Sequence, residues 1–297
     1  MLRHAVATVG PVPARRTSPP ARRGTWLAAA LGVVVVAAGC TSPATRPVAS
    51  PPASSPAPSG ATSAPHQDAP APDAAAVEER GVALAPRGGP TLALLAGDAP
   101  GVAVRDDGAL DVTLAATTAG TPTAWLAAPA GTALHVLADG TVAVRDEAGV
   151  TLAAVGAARG TAGAPRWTAD ASTGLALLTA PAGTGTEGAA TAAPVTVVVG
   201  GAAVDSATWG ENEGGRSLAV DPAAWARSGG IAAQEAVATQ LAAAEPEAAS
   251  ASMRDQLGCH ALGAPEKETW NLEPWRPEVD GLTMLATRCN PTATDAG

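Results

Sequence analysis

The chain contains no Phe and no Tyr, so its seven Trp are its only large aromatic side chains. Any folded core must therefore be built from Trp, Leu, Val and Ala, the bulky or small apolar types that remain. Two of the tryptophans, Trp270 and Trp275, lie in the run KETWNLEPWRPEV at 267–279. They serve either as core side chains, each covering up to about 250 Å², or as an exposed platform for a ligand. The sequence leaves both roles open.

The first 39 residues have the pattern of an export signal. They contain five Arg and no acidic residue, and an apolar run of about thirteen residues leads to A-A-G-C at 37–40. This ending resembles the lipobox of bacterial lipoproteins, in which the Cys receives a diacylglycerol thioether and becomes the mature N-terminus. The resemblance implies that residues 1–39 are a signal peptide and that Cys40 is lipidated. An ordinary cleaved signal peptide and an uncleaved anchor are the alternatives.

Removal of this signal makes the protein strongly acidic. The loss of five positive charges and no negative ones leaves 13 basic residues against 27 acidic ones, a net charge of −14. Such a chain is unsuited to nucleic acid, whose phosphates require clustered Lys and Arg. Anionic lipid headgroups are disfavoured for the same reason. We therefore expect the acyl chains to hold the protein at the outer face of the cell membrane, since two chains suffice for stable attachment.

Residues 40–79 are predicted to form a disordered tether. Nine prolines fall within 41–76, and large apolar side chains are almost absent there, so little burial could offset the entropy of folding. In an extended polyproline-like form this segment would reach roughly 110 Å. That distance would place a folded domain within the cell wall.

An internal repeat predicts a small β domain over residues 80–202. The segments 85–116 and 128–154 share AP, VAVRD and VTLAA in the same order. In the second copy, alternating apolar residues flank Asp139-Gly140, which predicts a hairpin. Two such units, closed by the VTVVV run at 195–199, predict a mostly antiparallel sheet or sandwich.

The last region, 203–297, changes in character and is predicted to be α+β. Apolar spacing indicates a helix over Ile231–Ala244 that stops at Glu245-Pro246. The run Ser252–Asp255 matches a capping box, so a second helix is predicted from Ser252 to about Cys259. The segments 204–209 and 218–220 read as strands.

Three motifs in this region resemble a known family. They are WGENEGGRSLAVDPAAW, MRDQLGCHALGAPEKETWNLEPWRPEV and RCNP. Together they resemble the bacterial domain-of-unknown-function family numbered 2599, found in exported proteins of high-GC Gram-positive bacteria. The resemblance covers roughly 203–291 and implies no particular activity.

With Cys40 assigned to lipid, Cys259 and Cys289 remain as an even number of thiols in an oxidising compartment. We predict that they form a disulfide, which would stabilise a loop of about thirty residues by roughly 3–4 kcal/mol. Zinc bound by these cysteines and His260 is disfavoured, because a tetrahedral site usually needs a fourth ligand. A Cys259–His260 nucleophile is disfavoured as well, since helix neighbours point about 100° apart. No metal, cofactor or catalytic residue is predicted.

The expected function is that of an exported, lipid-anchored envelope protein presenting a non-enzymatic binding or adaptor domain in the cell wall. Its partners would be the membrane, through the anchor, and cell-wall glycan or another envelope protein. A glycan hydrolase using a carboxylate pair and a structural spacer without a ligand are the alternatives. The candidate ligand-binding residues are Trp270, Asn271, Glu273, Trp275 and Arg276.

Overall fold

The computed structural model describes residues 71–115, 120, 122–160, 165–179 and 194–296, and its first element is helix α1 (Ala74–Arg80). Asp73 caps this helix by accepting a hydrogen bond from the amide of Ala76 at 2.8 Å. Val77 is fully buried on it. The sequence predicts that residues 74–79 belong to the tether, whereas in the structure they lie in α1, where the side chain of Val77 is buried. Cys40, the signal peptide and the rest of the predicted tether lie outside the described residues.

Between this helix and residue 200 the described residues form eleven strands, and all of the pairings among these strands are antiparallel. A five-stranded sheet has the order β1-β2-β5-β10-β9, and a six-stranded sheet has the order β3-β4-β11-β8-β7-β6. The strands are β1 (Val82–Leu84), β2 (Leu92–Ala96), β3 (Gly101–Val104), β4 (Leu110–Leu114), β5 (Pro122–Ala127), β6 (Thr132–Val136), β7 (Val142–Asp146), β8 (Thr151–Val155), β9 (Arg166–Asp170), β10 (Leu175–Thr179) and β11 (Val195–Gly200).

These two sheets pack face to face as a sandwich, which confirms the predicted antiparallel β domain. Along β4, Leu110, Val112 and Leu114 are buried while the residues between them are exposed. This alternation follows from the two-residue period of a strand. The buried set meets Leu92 and Leu94 of β2 in one apolar cluster. The core between the sheets is therefore almost entirely aliphatic.

The repeat is visible in the topology, but the two copies are not equivalent. The hairpins β3–β4 and β7–β8 carry the shared VAVRD sequence and flank β11 on its two sides. The predicted hairpin at Asp139-Gly140 is confirmed, with Leu134 opposite Val144. The first strands differ, because β2 lies in the five-stranded sheet and β6 forms an edge of the six-stranded one. The connection at 97–100 leads from β2 in one sheet to β3 in the other, whereas the turn at 137–141, which contains Asp139-Gly140, keeps β6 paired to β7.

The C-terminal region adds a three-stranded antiparallel sheet of order β12-β13-β14 and four helices. Its elements are β12 (Val204–Asn212), β13 (Gly215–Pro222), α2 (Ala224–Arg227), α3 (Ile231–Ala244), α4 (Ala251–Gly263), β14 (Trp270–Leu272) and α5 (Gly281–Ala286), with a 3-10 turn at Pro246–Ala249. The predicted helix over 231–244 is confirmed. The predicted capping box is wrong, because Ser250 occupies the N-cap of α4. Ser252 lies inside the helix, where its buried hydroxyl donates to the carbonyl of Arg276 at 2.9 Å.

Helix α3 joins the two halves of the protein. All of the described residues belong to one compact unit, and a single apolar cluster includes Ala143 and Ala154 of the six-stranded sheet together with Leu218 and Val220 of β13. The α3 residues in this cluster are mostly alanines. Small side chains let the helix approach both sheets closely, which suits a chain without Phe or Tyr.

The N-terminus of α3 is capped from the sandwich and not from its own chain segment. Its N-cap residue is Gly230, which has no side chain to offer. Asp139 Oδ2 accepts the amide N–H of Ile231 at 2.7 Å, and Thr141 Oγ1 accepts that of Ala232 at 3.1 Å. Burial raises the pKa of Asp139, but the hydrogen bonds that it accepts from Ile231 and from the hydroxyl and amide of Thr141 outweigh burial and hold the pKa below its ordinary value. The turn between β6 and β7 therefore completes the first turn of α3.

A second polar contact fastens α3 to the sandwich further along its length. Glu235 accepts hydrogen bonds from Arg145, with Nη2 to Oε2 at 2.7 Å, and from the hydroxyl of Thr151 at 2.6 Å. The hydrogen bond from Arg145 is the main reason that the pKa of Glu235 lies below its ordinary value. Gln240 extends this attachment by donating to the carbonyl of Thr151 at 3.0 Å.

Candidate binding face around Trp275

A disulfide encloses the segment that contains the predicted ligand-binding residues. Cys259 on α4 is bonded to Cys289, just after α5, with an S–S distance of 2.08 Å and 30 residues of separation. This confirms the predicted disulfide. The loop it closes contains β14 and all five candidate residues. The disulfide thereby limits the conformations open to that segment when the protein unfolds.

Trp270 is a core residue. Only 1% of it is exposed, and its indole Nε1 donates to the carbonyl of Ala264 at 3.2 Å. The ring lies nearly parallel to that of His260, with centroids 6.3 Å apart, and the guanidinium of Arg227 lies 5.6 Å from its centre. Its polar atom is satisfied and its apolar surface is covered, as expected of a buried tryptophan.

Glu273 and Arg276 form a buried ion pair. Glu273 is fully buried and Arg276 is 3% exposed, with Arg276 Nε 2.8 Å from Glu273 Oε2. Arg276 Nη2 also contacts Glu213 at 2.7 Å, while Asn212 and Ser217 donate to Glu273 Oε1. Burial lowers the pKa of Arg276, but the hydrogen bonds to Glu273 and Glu213 raise it above its ordinary value. The pair satisfies both buried charges.

This arrangement bears on the hydrolase alternative. A carboxylate that acts on a glycan must reach the scissile bond, yet both oxygens of Glu273 are occupied by hydrogen bonds inside the protein. Its backbone N–H is held as well, by Gln256 Oε1 at 2.8 Å. Glu273 therefore supports the fold beneath the surface.

Trp275 is fixed at the surface with one part of its indole open to solvent. It is 44% exposed, and its Nε1 donates to the carbonyl of Arg216 at 3.1 Å. The guanidinium of Arg276 lies 4.6 Å from the ring centre. The ring rests against Gly215, where an added Cβ would come within 2.2 Å of Nε1. Gly215 therefore makes room for the indole, which a hydrogen bond and a cation–π contact then hold in place.

The exposed side of the three-stranded sheet continues this surface. A side chain on Gly215 would point at the indole of Trp275, and Gly215 pairs with Asn212 of β12. Trp275 therefore lies on the side of the sheet to which Asn212 and every second residue before it in β12 point. The residues on that side are small or polar, and they form, with the indole, a surface that we call the Trp275 face: Trp275, Asn271, Ser206, Thr208 and Gly210. Ser206, Thr208 and Gly210 are exposed, and Asn271 is partly buried.

Sequence reasoning identified Trp275 and Asn271 but missed the β12 residues of this face. The signal was present, since the strand alternates between Ala207 and Trp209, which pack on the core, and the exposed Ser206 and Thr208. The candidate residues Trp270, Glu273 and Arg276 do not join the face, because all three are buried. Their binding role stays a prediction. Of the three, Arg276 contacts the indole of Trp275, and Glu273 holds Arg276 in place.

The Trp275 face has the chemistry of a flat polar surface with one apolar platform. Hydroxyl and amide groups can both donate and accept hydrogen bonds, and an indole offers a large rigid area at low entropic cost. Within the described residues no cluster of three or more His, Cys, Asp or Glu is placed to hold a metal ion. None of the described helices is both long and apolar enough to span a bilayer.

One family model matches the C-terminal region. Residues 204–292 match the family described as "Protein of unknown function (DUF2599)". The predicted resemblance is confirmed. The DUF2599 segment contains the disulfide, the buried ion pair and Trp275, while the sandwich lies outside the match.

Curated relatives match over a similar length. Uncharacterised proteins of Mycobacterium bovis and Mycobacterium tuberculosis are each 42% identical to this chain over 96 residues. The match covers 30% of this chain and 65% of each relative, so the chain spans slightly less than two thirds of the relatives' length. No solved structure matches the chain.

Proposed function

We propose that the protein is exported, is anchored to the outer face of the cell membrane through a lipid on Cys40, and binds cell-wall glycan through the Trp275 face. The A-A-G-C sequence at 37–40 supports the lipid anchor. The Cys259–Cys289 disulfide supports export, because disulfides persist mainly in oxidising compartments.

The state of Trp275 is the observation on which the binding proposal depends. A sugar ring presents an apolar face and a rim of hydroxyls, which an indole flanked by small polar groups can match. The indole of Trp275 is already fixed by Arg216 and Arg276. Binding would therefore cost little additional side-chain entropy.

Sedimentation with purified cell wall tests the binding proposal. Trp275→Ala should lose most of the wall binding of the parent protein while keeping a cooperative unfolding transition. Leu282→Ala is the matched control, since Leu282 is 81% exposed on α5 and lies outside the Trp275 face. Equal binding by the parent and Trp275→Ala, or no binding by the parent, would contradict the proposal.

Mass spectrometry of the mature protein tests the anchor separately. We expect an N-terminal Cys40 that carries a diacylglycerol and fractionates with membranes, and Cys40→Ser should release the protein from them. An unmodified Cys40, or cleavage at another residue, would refute the lipoprotein assignment without affecting the glycan test.

A further inference from the structure

A cavity lies between the six-stranded sheet and the connection from α2 to α3, apart from the Trp275 face. Its volume is about 340 Å³, which is in the range of about 300–1,000 Å³ typical of small-ligand sites. Ala154 and Val198 contribute an apolar side, and the indole of Trp225 and the backbone of Gly229 and Gly230 line it as well. The cavity is therefore built jointly by the sandwich and the DUF2599 segment.

Two arginines line this cavity on firmly held backbone. Arg159 exchanges two hydrogen bonds of 2.9 Å with Thr196 of β11, and the amide of Arg105 donates to the carbonyl of Ala109 at 2.8 Å. Among the described residues the Arg159 guanidinium makes no ion pair. Arg105 forms ion pairs with Asp107 at 3.7 Å and with Asp111 at 3.6 Å, and both distances are beyond ordinary hydrogen-bond distance. Both guanidinium groups thus retain N–H donors for a ligand.

The two acidic residues that line the cavity, Asp139 and Asp111, differ in how many hydrogen bonds they already accept. Asp139 already accepts hydrogen bonds from Ile231 and from the amide and hydroxyl of Thr141, so few acceptor positions remain on it. Asp111, whose side chain is 54% exposed, accepts none within the described residues and can receive an N–H. The cavity therefore offers guanidinium donors, one available carboxylate and an apolar side.

We propose that this cavity binds an amino-acid carboxylate, either a free amino acid or the C-terminal residue of a peptide. The carboxylate of the ligand contacts Arg159 and Arg105, because guanidinium matches a carboxylate in geometry and charge. The ligand N–H contacts Asp111, and a small side chain lies against Ala154 and Val198. This site goes beyond the proposed glycan function and shares no residue with the Trp275 face.

Titration of the full-length protein with alanine and with N-acetylalanine, followed by NMR shifts of the Trp225 indole N–H, tests the site. For so small a ligand we expect a Kd on the order of millimolar. Tighter binding of alanine would assign the free amino acid, and tighter binding of N-acetylalanine would assign a peptide terminus. Either result supports the site.

Two controls make the test decisive. Arg159→Gln should weaken binding at least about tenfold, as for loss of a charged hydrogen bond, whereas Arg166→Gln, an exposed arginine on β9 of the other sheet, should not. N-acetylalaninamide lacks the carboxylate and should bind at least about tenfold more weakly. The proposal would be overturned by equal affinity for the amide or by unchanged affinity in Arg159→Gln. It would also be overturned if neither ligand gave a saturable shift up to about 100 mM, which is some ten to a hundred times the expected Kd.

Discussion

The sandwich and the C-terminal region solve the lack of Phe and Tyr in different ways. Aliphatic side chains from two alternating sheets fill the sandwich, with Trp167 as its buried aromatic residue. The C-terminal region buries two tryptophans, Trp225 and Trp270, and adds a disulfide. Six of the eight buried polar or charged residues among the described part of the chain also lie there. Alternation of buried and exposed residues along the strands thus specifies the sandwich, whereas particular polar contacts specify the C-terminal region.

Backbone conformation shows the same contrast. In the described part of the sandwich, positive φ occurs only at glycines, such as Gly140 in the β6–β7 turn. In the C-terminal region, three non-glycine residues have a positive φ: Glu213, Arg288 and Cys289. A non-glycine residue with positive φ is uncommon and costs free energy. Glu213 contacts Arg276, which supports Trp275, and Cys289 forms the disulfide that closes the loop containing Trp275.

The largest expected effect comes from removing one buried tryptophan from each region. Trp167→Ala and Trp270→Ala should each lower the free energy of unfolding by about 3–5 kcal/mol, because each leaves a large cavity. Because α3 packs on both regions, we expect each variant to unfold in one transition. Urea unfolding followed by circular dichroism and by tryptophan fluorescence measures this.

Trp275→Ala is the surface control for that pair and should cost less than either core change, since the side chain is 44% exposed. Two separate transitions in Trp270→Ala, with the sandwich unchanged, would show that the regions fold independently. Equal destabilisation by Trp270→Ala and Trp275→Ala would show that Trp275 is a core residue in energetic terms.

A smaller effect is expected at the contact between the regions. Asp139→Ala should lower the free energy of unfolding by about 1–2 kcal/mol, as for loss of a helix cap. Asp146→Ala is the matched control, because Asp146 makes a similar turn hydrogen bond, to the amide of Val150 at 2.8 Å. The difference between the two variants in thermal unfolding isolates the cap on α3. No difference would mean that water replaces Asp139 at no cost.

The smallest effect is a dependence of stability on pH in the C-terminal region. His260 is 3% exposed, its Nε2 contacts the carbonyl of Asn271 at 3.1 Å, and its Nδ1 has no partner among the described residues. Burial lowers the pKa of His260 below its ordinary 6.5, and nearby Lys267 adds to this, against the Asn271 contact and Glu273. His260 is therefore protonated more readily in the unfolded chain than in the folded protein. The free energy of unfolding consequently falls as the pH drops below about 6.5.

Urea unfolding at pH 7.5 and pH 5.5 measures this dependence. Linkage limits the loss from one such group to about 1.4 kcal/mol per pH unit below the unfolded pKa. His260→Gln should be less stable at neutral pH and should lack that part of the pH dependence. A variant with the same pH dependence as the parent would exclude His260 as its source.

The parts of the fold that follow a local pattern could be predicted from the sequence. The alternation around Asp139-Gly140 and the helical spacing of 231–244 both depend on neighbours within a few residues, and both predictions are confirmed. Ser252 shows the limit of such reasoning. Its spacing to Asp255 fits a capping box, yet Ser250 is the N-cap and Ser252 binds Arg276, 24 residues away.

The candidate site was predictable to a similar extent. The local sequence around Trp275, with a proline on either side of the Trp-Arg pair, indicates a restrained segment. Burial of Glu273 and Arg276 could not be predicted, because it depends on Asn212 and Glu213 in the distant β12–β13 turn. A charged pair three residues apart looks the same in sequence whether it lies in solvent or in a core.

The borrowed cap on α3 has an evolutionary consequence. The segment that matches the family model begins at 204, so Asp139, which caps the longest helix of that segment, lies outside the match. A homologue that lacks this sandwich must supply another acceptor at the start of the helix or leave those amides to water. Gly230 can occupy the N-cap here because Asp139 and Thr141 of the sandwich accept the hydrogen bonds that a capping side chain would otherwise accept. The start of α3 therefore depends on the sandwich.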